Sequence, residues 1–305
     1  MDVDSIKAMF DGVGEEYKQI LVRDNKELFS KCISDINSTI KSVDELTPVP
    51  SQIMNAFKYC EWSKLRVVII GQDPYPTPGH AIGLSFATTR NAPVPRSLVN
   101  IYKALINSGY MTEAPTHGDI SSWAKQGVLM LNAALTTIKG VSEKHLNIWK
   151  PYTEKILTDI ATKFAENKRP LVFIMWGNFA IGYTKILDKV NFTTINNGQT
   201  TIHRFLTWGH PSPLSPHNKG DPVVIRKHFA NCENFKQCNN ILKEFELDPI
   251  EWGKLDAVAP ENKVEEIAAA PAVNAPINIQ INDEMMQAMQ RLLTSADSIT
   301  SSTTN

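Results

Sequence analysis

The sequence has no long apolar run, no recognisable secretory leader and few cysteines. No hydrophobic stretch approaches the roughly 20 residues of a transmembrane helix, and the acidic N-terminus lacks the basic and apolar regions of a signal peptide. The four cysteines, at positions 32, 60, 232 and 238, form no C-x-x-C pair. We therefore expect no membrane partner, no disulfide scaffold and a reduced intracellular location, which is the nucleus, the cytoplasm or, for a viral chain, a host-cell compartment.

The motifs of several enzyme classes are also missing. The chain has no G-x-x-x-x-G-K-[ST] loop, no G-x-G-x-x-G after a strand, no G-x-S-x-G elbow and no H-E-x-x-H helix. These absences argue against P-loop nucleotide hydrolysis, dinucleotide-dependent redox chemistry, α/β-hydrolase chemistry and zinc peptidase chemistry. The spacing of the seven histidines predicts no metal site.

Charge is nearly balanced over the whole chain but not along it. The net charge is −1, from 31 basic and 32 acidic residues. Residues 256–305 hold seven acids and two bases and so carry −5, which leaves +4 on residues 1–255. A mildly basic first part is compatible with a nucleic-acid partner but is no evidence for one.

The composition is that of a globular protein, with 42% apolar and 21% charged residues, and it changes near Leu255. We predict one domain over residues 1–255, a linker rich in alanine and proline over 256–280, and an amphipathic helix with a disordered end over 281–305. The apolar stripe of that helix consists of Met285, Met286, Met289, Leu292 and Leu293. Two interpretations stay open: the helix docks on its own domain, or it binds a protein partner.

Before Leu255, short apolar segments alternate with helical patterns. Buried strands are predicted at Arg66–Ile70, Val128–Leu131, Leu171–Trp176 and Phe205–Trp208. Helices are predicted at Ser97–Asn107, Ser121–Gln126, Pro151–Glu166, Asn178–Val190 and Val223–Phe245, with a helical N-terminal layer over residues 1–60. The alternation predicts the α/β class, with a central four-stranded, twisted parallel sheet, helices on both faces, and a single domain followed by the tail.

Polar residues follow the predicted strands. Asp73 comes shortly after the first strand, Asn132 ends the second, and His210 follows the fourth. Ligands of open parallel sheets lie at the carboxyl ends of the strands, so we expect these three side chains to converge.

Four segments of the sequence resemble the family 1 uracil-DNA glycosylases. They are GQDPYPTPGHAIGLSF (71–86), HGDISSWAKQGVLMLNA (117–133), MWGNFA (175–180) and HPSPLS (210–215). The similarity runs from about Pro48 to about Lys254. It implies hydrolysis of the N-glycosidic bond between uracil and deoxyribose, on single- or double-stranded DNA that contains uracil. No cofactor is needed for such a reaction, and we expect a monomer.

The resemblance assigns the chemistry to two residues. When the bond breaks, the sugar develops positive charge and uracil O2 develops negative charge. Asp73 is suited to stabilise the sugar and to orient or deprotonate water. His210, as a neutral donor, and the backbone N–H of Gln72 are suited to O2. Taken alone, Asp73 is better explained as a turn cap and His210 as a packing histidine, but the two intact motifs together favour the catalytic interpretation.

Recognition of the flipped base falls to three further residues. Asn132 pairs with the uracil edge through its amide, unless it only ends a strand. Phe86 stacks on the base, although an ordinary core aromatic explains it too. Tyr75 stands beside uracil C5, where the methyl group of thymine would clash.

DNA is gripped, by the same resemblance, through short loops. Hydroxyls and backbone N–H groups contact successive phosphates; the candidates are Ser97, Gly177, Asn178, Ser212 and Ser215. Leu214 fills the gap left by the base, or is simply an exposed loop leucine.

Some positions depart from the pattern of the family. Pro76 stands where many members carry histidine, Ile82 replaces a second histidine, His80 replaces glutamine, and Asn178 replaces the serine of a Gly-Ser loop. These departures bear on water positioning and phosphate contacts.

Two rival functions remain at this point. One is a DNA-binding or scaffold module without catalysis, which loss of Asp73 or His210 would favour, although both are present. The other is a broader mismatch glycosylase that also removes thymine, against which Tyr75 argues.

Overall fold

The computed structural model describes residues 1–198, 202–215 and 228–255. Its strands are β1 Leu46–Thr47, β2 Val67–Gly71, β3 Val128–Asn132, β4 Thr137–Ile138, β5 Val172–Trp176 and β6 Arg204–Trp208. Four of them form a parallel sheet in the order β3-β2-β5-β6, while β1 and β4 pair antiparallel. The predicted four-stranded parallel sheet is confirmed, with each strand within one residue of its expected bounds.

Burial explains why these segments form strands. Every residue of β2, β3 and β5 is buried, whereas β6, at the edge, is partly exposed. A parallel strand with both faces covered needs apolar side chains on both sides, and this is why its sequence is a continuous apolar run.

The helices are α1 Val3–Phe10, α2 Glu15–Lys18, α3 Lys26–Asn37, α4 Asn55–Tyr59, α5 Arg96–Asn107, α6 Ser121–Lys125, α7 Leu146–Glu166, α8 Gly177–Ile181, α9 Thr184–Asn196 and α10 Asn234–Glu244. They flank the sheet on both faces. Trp176 lies edge-on to Phe235 of α10, with 5.7 Å between the ring centroids. The Phe173 side chain lies on the opposite face of the sheet and packs on His203. His203 Nε2 is 2.8 Å from the carbonyl of Ala161 in α7.

The N-terminal helices pack on α7. Phe29 of α3 lies 5.7 Å from Tyr152 of α7, measured between ring centroids, and the Tyr152 hydroxyl donates to the carbonyl of Leu21 at 2.8 Å. The four cysteines are buried and form no disulfide. No helix among the described residues is both long and apolar enough to cross a membrane.

The predicted start of α7 was wrong. The helix begins at Leu146 rather than Pro151, because the carbonyl of His145 accepts from Ile148 and Trp149 and so opens a turn earlier. Pro151 has no N–H to donate to the carbonyl of Asn147, four residues earlier. Asn147 is exposed, so water can bond to this carbonyl instead.

Two further predicted helices have different bounds. The segment Asn178–Val190 is split into α8 and α9, because the N–H groups of Gly182 and Tyr183 bond to carbonyls three residues back and tighten the turn. In the described part of the predicted helix Val223–Phe245, the α-helix begins at Asn234, since residues 229–231 form a 3₁₀ turn followed by extended backbone at Cys232. Residues 223–227, the predicted linker (256–280) and the predicted terminal helix (281–305) lie outside the described residues.

The last described segment is anchored by Trp252. This side chain is fully buried, 5.1 Å from Trp123 and 5.2 Å from Phe235 between ring centroids. The Trp123 indole N–H also donates to the Trp252 carbonyl at 2.9 Å. The domain therefore extends at least to this residue.

We predict that a chain ending at Leu255 keeps the thermal unfolding transition of the full chain. Trp252→Ala in the same chain should lower the free energy of unfolding by about 3–5 kcal/mol, because it leaves a cavity between two aromatic rings. Calorimetry of both proteins measures the difference. Unfolding or aggregation of the shortened chain would show that residues 256–305 are part of the core.

Candidate active site

The predicted site residues lie at the carboxyl edge of the sheet. β2 and β3 end together, with Gly71 opposite Asn132. The loop with Asp73 leaves β2 at this edge, and the loop with His210 leaves β6 at the same edge. Since the four strands are parallel, these loops emerge on one side of the sheet.

Asp73 is a half-buried carboxylate held by a backbone N–H. Its Oδ2 accepts a hydrogen bond of 2.8 Å from Glu143 N, in the segment between β4 and α7. Burial raises the pKa of Asp73 above its ordinary value, the Glu143 N–H opposes this rise, and the Glu143 charge adds to it. Glu143 has a φ of +60°, which is uncommon outside glycine. The carboxylate is thus partly desolvated and fixed in direction.

Asn132 packs its amide against the backbone of β2. Its side chain is buried, at 8% exposure. A Cβ on Gly71 would lie 2.2 Å from Asn132 Oδ1 and 2.7 Å from Ser85 Cβ. Only glycine at position 71 therefore allows the amide to reach this place.

Phe86 and Tyr75 are fixed to one another. The Tyr75 hydroxyl donates to the Phe86 carbonyl at 3.1 Å. Phe86 has a φ of +64°, and its ring lies 6.0 Å from the His210 ring and 5.4 Å from Trp176. Phe86 is partly buried, packs against the hydrophobic core and lies beside the predicted catalytic histidine.

His210 is held as a hydrogen-bond acceptor at one ring nitrogen. Ser212 N–H donates to His210 Nδ1 at 3.0 Å, which places the ring proton of the neutral form on Nε2. Burial lowers the pKa of His210. A Cβ on Gly177, whose φ is +84°, would lie 2.8 Å from His210 Cβ. The close approach of these two loops requires glycine there.

A groove of about 710 Å³ runs beside His210. It is lined by five of the residues predicted to bind DNA, Gly177, Asn178, Ser212, Leu214 and Ser215. Leu214 is 74% exposed, and the hydrogen bonds of the turn are Leu214 N–H to Ser212 Oγ at 3.2 Å and Ser215 N–H to the Ser212 carbonyl at 3.0 Å. A rigid turn therefore presents an apolar tip to solvent.

Ser97 lies in the first turn of α5 and does not line this groove. Asn100 of the same helix donates from Nδ2 to the Pro211 carbonyl at 2.7 Å in a buried contact. This bond brings the start of α5 beside the loop with His210, so Ser97 lies on the same side of the molecule.

Two of the residues that differ from the family pattern take part in hydrogen bonds through their backbone carbonyls. The Pro76 carbonyl accepts from Gly140 N–H, and the Ile82 carbonyl accepts from Asn55 Nδ2, both at 2.8 Å. Asn178 is exposed at the groove. Within the described residues no group of three His, Cys, Asp or Glu side chains is arranged to hold a metal ion.

Sequence reasoning missed three residues of the site: Glu143, Asn100 and Ser85. Glu143 and Asn100 act on partners 70 and 111 positions away in the chain, and no local pattern marks such contacts. The only signal for Ser85 was its place directly before Phe86 in a quoted segment.

Comparisons with known proteins show the family of this chain. The model of the Uracil DNA glycosylase superfamily matches residues 57–243. A uracil-DNA glycosylase of Pectobacterium carotovorum subsp. carotovorum (strain PC1) is 37% identical over 206 residues, which is 67% of this chain and 80% of that protein. One from Serratia proteamaculans (strain 568) is 35% identical over 243 residues, or 79% of this chain and 93% of that protein.

A solved structure gives the same result. The crystal structure of mimivirus uracil-DNA glycosylase superposes with a TM-score of 0.66 at 28% identity, and the match covers 82% of this chain and 90% of that one. The family match spans more than half of the sequence, and both bacterial relatives exceed 30% identity. The chain belongs to the uracil DNA glycosylase superfamily.

Proposed function

We propose that this protein hydrolyses the N-glycosidic bond that joins uracil to deoxyribose in DNA, releasing free uracil and leaving an abasic site. This is the first step of base excision repair. The observation that carries the proposal is a neutral histidine, His210, next to Phe86 at the sheet edge where Asp73 and Asn132 also lie.

Two opposite charges develop as the bond breaks. Asp73 lies beneath the sugar, where its carboxylate stabilises positive charge and accepts a proton from the attacking water. The hydroxide of that water bonds to the sugar carbon C1′, and the electron pair of the broken bond leaves with uracil. Glu143 N–H keeps one oxygen of Asp73 in place.

His210 acts on the leaving base. Because Nδ1 accepts from Ser212 N–H, the proton of the neutral ring is on Nε2, and this N–H donates to uracil O2 as negative charge builds there. A neutral donor suits this task, because its N–H stabilises the negative charge on O2 through a hydrogen bond while the proton stays on the ring. The backbone N–H of Gln72 is the second donor to O2.

Uracil is recognised by shape and by hydrogen bonds. Phe86 stacks on the flipped base, and Asn132 accepts from N3–H and donates to O4. Tyr75 forms a wall at C5, held by its bond to the Phe86 carbonyl and by the flanking prolines 74 and 76.

The DNA strand is held by neutral groups at several loops. Hydroxyls and backbone N–H groups contact its phosphates from Ser97, Gly177, Asn178, Ser212 and Ser215, and Leu214 enters the space left by the flipped base. Such contacts need few cations, so a chain of net charge −1 is able to bind DNA. We propose that the enzyme works as a monomer without a cofactor, on single- or double-stranded DNA.

The direct test is a gel assay on oligonucleotides with a single uracil, run in the presence of EDTA. We expect strand scission after alkali with the wild-type chain. Asp73→Asn and His210→Leu should each lower the excision rate by about two or more orders of magnitude, while DNA binding persists. Near-wild-type turnover in either variant contradicts the assigned role, and an inactive wild type favours the non-catalytic DNA-binding module.

The pH dependence of single-turnover excision tests the charge states. Asp73 must be ionised, so the rate falls as the pH drops through its pKa, which lies above the roughly 3.9 of an ordinary aspartate. His210 must be neutral, and burial lowers its pKa below the roughly 6.5 of an ordinary histidine, which favours the uncharged ring. We therefore expect an acid limb above about pH 3.9. A limb at or below that value would contradict the raised pKa of Asp73.

Selectivity is tested at two positions. Attraction in an apolar pocket distinguishes substrates that differ by one methyl group by only about 1–3 kcal/mol. The exclusion of thymine therefore needs a rigid wall. Tyr75→Ala should gain measurable thymine excision and keep its discrimination against cytosine. Asn132→Ala should weaken uracil excision without admitting thymine. The assay compares U, T and C in otherwise identical oligonucleotides. A Tyr75→Ala enzyme that is active on uracil but ignores thymine would place the wall elsewhere.

A further inference from the structure

Residues 139–144, here called the clasp, hold the loop that carries Asp73 at two points. Glu143 N–H donates to Asp73 Oδ2, and Gly140 N–H donates to the Pro76 carbonyl, both at 2.8 Å. All six residues of the clasp are exposed, so the clasp has no apolar packing of its own to fix its position. Its geometry therefore depends on its two ends.

Thr137, in β4, holds the clasp from its first end. Its hydroxyl donates to the Val141 carbonyl at 2.6 Å, and its oxygen accepts from Lys144 N–H at 3.3 Å. The two bonds link the middle and the last residue of the clasp to one side chain of β4.

His145 fixes the second end. It follows the clasp directly and is fully buried. Both ring nitrogens meet threonine hydroxyls at 2.9 Å, Nδ1 at Thr136 and Nε2 at Thr39. Trp149 Nε1 donates to the Thr136 hydroxyl oxygen and the Thr39 hydroxyl donates to the Ile36 carbonyl, both at 2.7 Å. Every polar atom of this side-chain network has a partner.

One arrangement of protons satisfies the network. Thr39 gives its proton to a backbone carbonyl, so its oxygen accepts from His145 Nε2–H. His145 Nδ1 then accepts the proton of Thr136, whose oxygen accepts from Trp149. The imidazole is neutral and its orientation is fixed. Burial, with a contribution from the Lys144 charge, lowers the pKa of His145 to about 4, in agreement with this arrangement.

We propose that His145 is a positioning residue for the reaction, because it fixes the end of the clasp and the clasp in turn fixes the carboxylate of Asp73. His145 acts through Glu143 N–H and makes no contact with DNA. The inference rests on the proposed function, which defines the task of Asp73.

The test compares two buried histidines. His145→Ala removes both bonds of the network. His203→Ala is the matched control, because His203 is also buried and bonded at both ring nitrogens, to Leu171 N–H and the Ala161 carbonyl, but at the opposite end of the sheet. We expect kcat per folded molecule to fall about 10- to 100-fold in His145→Ala, with KM for DNA little changed, and to stay near wild type in His203→Ala. His145→Gln, which retains one donor and one acceptor, should recover most of the rate.

The pH profile separates positioning from a loss of stability. The Glu143 N–H bond lowers the pKa of Asp73, so a loosened clasp should move the acid limb of kcat to higher pH in His145→Ala. Glu143 is the charged group of the clasp that acts on Asp73, and its charge raises that pKa. Glu143→Gln should therefore move the limb to lower pH. His145→Ala and Glu143→Gln are therefore expected to shift the profile in opposite directions.

Thr39→Val serves as a second variant if His145→Ala does not fold, because Thr39 is only half-buried and its hydroxyl belongs to the same network. An upward shift of the limb in either variant supports the inference. If the wild type is active and the folded His145 or Thr39 variant has the kcat and the acid limb of the wild type, the inference is overturned while the proposed function stands. A wild-type chain that releases no uracil overturns both the inference and the proposed function.

Discussion

The register between β2 and β3 is the constraint on which the site depends. It sets Gly71 opposite Asn132 at the ends of two parallel strands, and the absence of a side chain on Gly71 makes room for the Asn132 amide. A slip of one residue would turn the Asn132 side chain to the other face of the sheet. Asn132 would then lie opposite a residue with a bulky side chain instead of Gly71. The same end of β2 leads into the loop with Asp73, so one pairing positions both the Asn132 amide, which we propose reads the base, and the Asp73 carboxylate.

Burial acts on the two proposed catalytic groups in opposite directions, and both shifts disfavour charge. It raises the pKa of Asp73 and lowers that of His210. A backbone N–H then selects the useful state at each residue. Glu143 N–H supports the Asp73 carboxylate, and Ser212 N–H occupies His210 Nδ1 and leaves the proton on Nε2. Backbone donors are suited to this, since they are fixed by the fold and do not titrate.

The sheet was predictable from the sequence, whereas several helix bounds were not. Strands buried on both faces are continuous apolar runs, and all four were found within one residue of their bounds. The errors at Pro151 and Gly182 arose from backbone bonds in a first turn and a tight turn, which the apolar pattern does not encode. The resemblance supplied the candidate functional residues. Asn100 and Glu143 were not predicted from the sequence, because their contacts join distant parts of the chain.

In the proposed reaction a neutral His210, with its proton on Nε2, faces the leaving base. Nitrogen-15 NMR of the imidazole ring in the folded protein tests this most directly. We expect an unprotonated Nδ1 and a protonated Nε2 at neutral pH, and a titration midpoint below about 6.5, the ordinary value for histidine. An imidazolium at neutral pH, or a ring with its proton on Nδ1, would contradict the account.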